Sequence, residues 1–136
     1  MPNKPGEFRA HPPNRAWIKV YGKIQEDEIS AVLEEVLAFS EKLTYLLLEI
    51  DISDMSGATP EARRVSAKLF NQMPPIAYAL VGGTFTQRAL AKLVLKAVEL
   101  LRGKERQVFS FFPTSEGAIK WLDMQSREFE TNSKFK

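Results

Sequence analysis

Residues 46–64 read LLLEIDISDMSGATPEARR, and the order of chemistry along them decides the fold class. Leu46, Leu47 and Leu48, with Ile50 and Ile52, form an almost unbroken apolar run. Such a run fits a central strand covered on both faces. A short Asp/Ser/Gly segment follows, expected as a loop that bends at Gly57 and leaves the next amides facing solvent. Thr59-Pro60-Glu61 then opens a helix. Threonine supplies an N-cap oxygen, and proline suits the first helical position because no N–H is needed there. A strand end feeding a helix start is where α/β domains place their working surface.

Working outward, residues 7–11 and 16–21 are expected to pair as a hairpin across Pro12-Pro13-Asn14-Arg15. Trp17, Lys19 and Tyr21 alternate with Ile18 and Val20, the period of a strand, and Gly22 ends it. A helix is predicted over 25–42. Ile29, Val32, Leu33, Val36 and Leu37 make its apolar stripe, and Glu26, Asp27 and Glu28 favour its positive N-terminal end. The helix opened by Thr59 runs to about Met73, with Val65, Leu69, Phe70 and Met73 inward, and Pro74-Pro75 stops it.

Residues 76–81 read as a buried strand, and Gly82-Gly83-Thr84 as a tight turn. A long helix follows, ending near Gly103 as its C′ residue. Residues 107–112 read as the last strand. A final helix opens at Pro113-Thr114-Ser115-Glu116 and carries Ala118, Ile119, Trp121 and Leu122. The order β-β-α-β-α-β-α-β-α predicts an α/β fold: a mainly parallel mixed sheet of about five strands with an N-terminal antiparallel hairpin, covered by four helices. The expected divisions are a flexible arm over 1–5, one domain over 6–124 and a polar tail over 125–136.

At 136 residues with 44% hydrophobic content, the chain is long enough for one domain with its own core. A net charge of +2 is too mild to point to nucleic acid. With no cysteine and one histidine, His11, thiolate chemistry and histidine metal clusters are excluded. No cofactor is implied. The residues after Met1 lack the apolar run of a secretory signal. Residues 89–101 are broken by Lys92, Lys96 and Glu99, so no integral membrane segment is expected. Cytoplasm is the default location.

Four features compete for a role. Glu49, Asp51 and Asp54 cluster near one strand end. They fit an acid–base pair, a site for a hard cation, or Asx-turn residues ordering the loop. Gly82-Gly83 fits an anion-receiving turn or close helix–strand packing. On the helix over 84–102, Leu90, Leu93, Val94, Ala97, Val98 and Leu101 fill one stripe, with Leu95 and Leu100 at its margins. Arg88, Lys92 and Lys96 form a cationic ridge. That helix reads as a buried packing element, a dimer contact, or the wall of an apolar ligand cleft built by Gly82, Gly83, Phe85, Arg88 and Lys92. His11 reads as an exposed turn residue, and Trp17 and Trp121 as packing rather than stacking platforms. With no nucleophile motif, an enzyme is not expected.

Four motifs in order resemble the SpoIIAA-like branch of the STAS superfamily, whose fold is related to the CRAL-TRIO lipid-binding domains. They are Val20-Tyr21-Gly22-Lys23-Ile24, the Asp51-Ile52-Ser53 strand end with the Ser56-Gly57-Ala58-Thr59-Pro60-Glu61-Ala62-Arg63 run, Ala79-Leu80-Val81-Gly82-Gly83-Thr84-Phe85 with Leu90-Ala91-Lys92-Leu93, and Phe111-Phe112 with Glu116-Gly117-Ala118-Ile119-Lys120-Trp121-Leu122. The resemblance implies a small, non-enzymatic bacterial regulatory module. In the anti-sigma-factor antagonists of the superfamily, a serine or threonine at the start of the second helix is phosphorylated within an Asp-Ser-Ser/Thr-Gly context. The nearest run here is Asp54-Met55-Ser56-Gly57 with Thr59, which carries Met55 where that context has serine, so Ser56 and Thr59 read either as candidate acceptors or as residues that only cap and turn.

Two functions are therefore expected. The first is docking of a protein partner or a second copy through Asp51, Ser53, Asp54, Ser56, Gly57, Thr59 and Arg63. The second, by analogy with CRAL-TRIO domains, is binding of a lipid or other apolar molecule in the cleft beside the helix over 85–101.

Overall fold

Alternation in β2 (Arg15–Ile24) sends Ala16, Ile18 and Val20 to one face of the sheet and Trp17, Lys19 and Tyr21 to the other. β3 (Leu46–Ala58) and β4 (Ile76–Val81) continue the pattern. Leu46, Leu48, Ile50 and Ile52 join Ile76, Tyr78 and Leu80 on the first face, and Leu47, Ala77, Ala79 and Val81 occupy the second. The computed structural model describes residues 6–102 and 107–133. The expected arm over 1–5 and the C′ glycine Gly103 lie outside the described residues.

β1 (Glu7–His11) pairs antiparallel with β2, and β5 (Gln107–Phe112) pairs parallel with β4, giving a five-stranded sheet in the order β1-β2-β3-β4-β5. The four strands β2 to β5 are parallel and added in sequence order. Right-handed crossovers repeated in one direction place every connecting helix on the same face. So α1 (Glu26–Ser40), α2 (Pro60–Asn71) and α3 (Phe85–Arg102) cover the first face, through Val32, Leu33, Phe70, Leu95 and Val98 among others. α4 (Ser115–Ser133) returns across the second face, where Ala118 and Leu122 meet Leu47, Ala77 and Ala79. The predicted α/β architecture, with an antiparallel hairpin at the edge and four helices, is the one observed.

Three elements differ from expectation. Residues 53–58 do not leave the sheet: β3 keeps pairing with β2 as far as Ala58, and β2 itself passes Gly22 to reach Ile24. α4 continues beyond Met124, where a polar tail was expected. Tyr45 holds its later turns, stacking on Phe129 at 4.8 Å between centroids, while its hydroxyl bonds Ser126 at 2.9 Å and Glu130 at 2.7 Å. α3 is rotated relative to its predicted stripe. Leu95, expected at the margin, is 2% exposed, and Leu93 and Leu101, expected inward, are 53% and 60% exposed. An apolar arc wider than one contact leaves the rotation open in sequence, and packing against α2 and β3 chooses it.

Candidate functional site

The segment assigned to partner docking is an irregular strand end rather than a loop. β3 pairs with β2 as Lys19↔Asp51 and Tyr21↔Asp54, then Gly22↔Met55 and Lys23↔Gly57. Both steps are register shifts, and Ser56 is the extra residue at the second. Gly57 lies in this extension without a left-handed φ. The amides after it are largely engaged within the chain. Thr59 N donates to Ile24 O at 3.1 Å, Ala62 N to Thr59 Oγ1 at 3.0 Å and Arg63 N to Thr59 O at 3.0 Å. Thr59 is thus an N-cap in use, as its place before Pro60 predicts.

The carboxylates of this edge are also partnered. Asp51 Oδ1 accepts from Ser53 N at 2.9 Å and from Ser53 Oγ at 2.6 Å, an Asx turn. Lys19 Nζ lies 3.5 Å from Asp51 and 3.1 Å from Asp54. Its hydrogen bond to Asp54 holds the Lys19 ammonium above its ordinary pKa; partial burial opposes this and the charge of Asp51 reinforces it. Glu49 has a different partner. It is 5% exposed and accepts from Ser115 Oγ at 2.6 Å in the first turn of α4. A carboxylate there is favoured by the helix dipole. Among the described residues no three His, Cys, Asp or Glu side chains gather as a metal site.

The Gly82-Gly83 turn closes on the end of β3. Both residues have left-handed φ, 79° and 90°. A Cβ on Gly82 would stand 3.0 Å from Ser53 Cβ, and one on Gly83 3.0 Å from Ile52 Cδ1. Close packing therefore accounts for both glycines. Thr84 and Gln87 then form a capping box: Thr84 N donates to Gln87 Oε1 at 2.6 Å, and Gln87 N to Thr84 Oγ1 at 3.3 Å. Gln87 also donates to Met55 O at 2.6 Å, so it ties α3 to the β3 extension. The Thr84-x-x-Gln87 spacing is the sequence signal for this role. Arg88 Nε donates to Gly82 O at 3.3 Å, with its guanidinium 5.6 Å from the centre of the Phe111 ring. Phe85 is 89% exposed.

An apolar cavity of about 70 Å3 lies between the first face of the sheet and the helices. Ile18, Ile50, Ile52 and Leu80 form its floor; Ile29, Phe70, Leu90, Ala91 and Leu95 form its roof. None of the predicted cleft residues Gly82, Gly83, Phe85, Arg88 and Lys92 is in its wall. Its charged wall residue is Arg63, which the sequence reading had placed with the docking segment. Arg63 Nε is buried and meets no acceptor among the described residues. An unsatisfied buried donor of this kind costs about 1–3 kcal/mol. Ser66, also in the wall, is satisfied by Ala62 O at 2.7 Å. Arg63 and Val94 are shared with a groove between α2 and α3, which Arg64, Lys68, Leu93 and Leu101 also line. A sequence signal existed here too: Arg63, Ser66, Ala67 and Phe70 stand at i, i+3, i+4 and i+7, one helical face.

A solved structure from Shewanella loihica PV-4, described as an uncharacterized protein of the DUF3478 family with a SpoIIAA-like fold, superimposes with a TM-score of 0.63. The match covers 90% of this chain and 98% of that one, at 17% sequence identity. The fold is SpoIIAA-like. At that identity the likeness concerns architecture alone. No protein-family model matches the chain, and no curated protein matches it. In this SpoIIAA-like frame the cavity lies under the three helices that follow β2, β3 and β4, and Arg63 stands one turn into the second of them. No helix among the described residues is long and apolar enough to cross a membrane.

Proposed function

We propose that the protein is a non-enzymatic binding module of the STAS type whose ligand is a small, mainly apolar molecule held between the sheet and α1–α3. The cavity carries this reading. At about 24 cal/mol per Å3 of void, an empty space of about 70 Å3 costs at most about 1.7 kcal/mol. Ala58 and Ala91 line it, where larger residues would fill it. The test is xenon NMR together with native mass spectrometry of the protein purified from its own host. A xenon-induced shift at Leu80, Ala91 and Leu95, or a co-purified apolar adduct, is expected. Bare-mass protein that gives no xenon response overturns the reading.

Docking of a protein partner or a second copy through residues 53–59 is the second reading. Its support is the register shift at Ser56, because bulges redirect side chains out of the ladder. Ser53, Asp54 and Ser56 are exposed there. Since the Thr59 hydroxyl already caps α2, Ser56 is the acceptor a kinase would use. Peptide mass spectrometry of the host protein tests it: a phosphate on Ser56 supports the reading, and unmodified protein whose oligomeric state is unchanged by Ser56→Asp removes it.

A further inference from the structure

The cavity asks for more than an apolar filling. Arg63 is the one charged residue in its described wall, and its buried Nε–H has no acceptor among the described residues. Ser66 is already satisfied and leaves the guanidinium as the donor that a ligand would meet. Arg63 also belongs to the wall of the α2–α3 groove, where Arg64 and Lys68 add positive charge beside Leu93 and Leu101. An apolar chamber, a buried unpaired donor at its boundary and a cationic approach define one kind of molecule. Resting on the apolar-ligand reading above, we propose that the chamber takes the alkyl chain of a short single-chain amphiphile whose anionic head, a carboxylate or phosphate monoester, pairs with the Arg63 guanidinium at the chamber's boundary.

The volume limits the chain. About 70 Å3 is about half of the roughly 150 Å3 that holds a six-carbon ring, so about three carbons of a six-carbon chain fill it and the rest lies at its mouth beside Arg63. A guanidinium is suited to either head, because its planar fork matches carboxylate and phosphate oxygens. Entry runs along the α2–α3 groove, the surface on which the two spaces share Arg63 and Val94.

The experiment is an NMR titration of the isotope-labelled full-length protein with sodium hexanoate, hexyl phosphate and n-hexanol. At least one anion is expected to bind about tenfold or more tightly than n-hexanol, the difference one charge-assisted hydrogen bond supplies. Comparing hexanoate with hexyl phosphate identifies the head. Arg63→Met should abolish the preference and keep n-hexanol binding, whereas Lys120→Met, at an exposed position of α4 across the sheet, should keep both. Should Arg63→Met not fold, Arg63→Gln is read the same way. Equal binding of anions and alcohol, or a preference that survives loss of Arg63, overturns the inference and leaves the apolar-ligand reading standing. Failure of all three probes overturns the inference, and if xenon gives no response either, the apolar-ligand reading falls with it.

Discussion

Replacing Ala91 by leucine tests the chamber directly. Ala91 is 9% exposed, lies on the inward side of α3 and lines the cavity. Leucine adds three carbons, a volume close to the void itself. Filling all of about 70 Å3 recovers at most about 1.7 kcal/mol. Immobilising the new side chain costs about 0.5–1 kcal/mol, so Ala91→Leu should stabilise the protein by about 1 kcal/mol. With an unfolding entropy of about 2.1 cal/mol/K per residue, a chain of 136 residues converts that into a Tm gain of about 3–4 °C. Urea denaturation followed by tryptophan fluorescence and by circular dichroism gives the free energy. Ala97→Leu, at an exposed position of the same helix, is the control and should change little. The leucine should also exclude n-hexanol. A loss of about 1 kcal/mol or more at position 91, with the control unchanged, would mean that the side chain meets packed atoms, and the reasoning from an open chamber would fail.

Asp54→Asn should return the Lys19 pKa toward its ordinary 10.5, since the Asp54 hydrogen bond is the first cause of its rise. A raised folded pKa contributes stability below the unfolded lysine range and loses it as pH climbs through the folded value. The native protein should therefore lose more stability above pH 10.5 than the variant; an NMR titration of the Lys19 ε-carbon and urea melts across that range check both. Ser115→Ala removes the hydroxyl from buried Glu49 and should cost about 1.5–3 kcal/mol; an unchanged Tm would show that Glu49 does not depend on it. Thr59→Ala removes the α2 cap bond to Ala62 and should cost about 1 kcal/mol in urea, without altering ligand preference. Tyr45→Phe should raise hydrogen exchange in the last turns of α4, around Ser126 and Glu130, and spare the turn at Ala118; uniform exchange along the helix would contradict the anchoring role.

Local chemistry wrote much of this fold into the chain. Period-2 alternation in β2, continuous apolar runs in β3 and β4, the Thr59-Pro60 helix start and the Gly82-Gly83 turn each act over a few residues, so they read correctly one element at a time. The extension of β3 over 53–58 was not legible, because Asp, Ser and Gly favour turns and only β2 alongside supplies the hydrogen bonds that keep them extended. The later turns of α4 are polar by composition and held by Tyr45, some eighty residues away in the chain.

The amino-acid order by itself determined the succession of strands and helices, the side of each strand that must be buried, and hence the layered architecture. Which way α3 is turned, and which cation faces the apolar interior, were decided only when the helices met over the sheet. Several rotations of a broadly apolar helix bury similar area, and neighbouring atoms choose among them. Arg63 illustrates the point: one residue among several basic ones in sequence, it becomes singular through its position between a chamber and a groove that no element possesses alone.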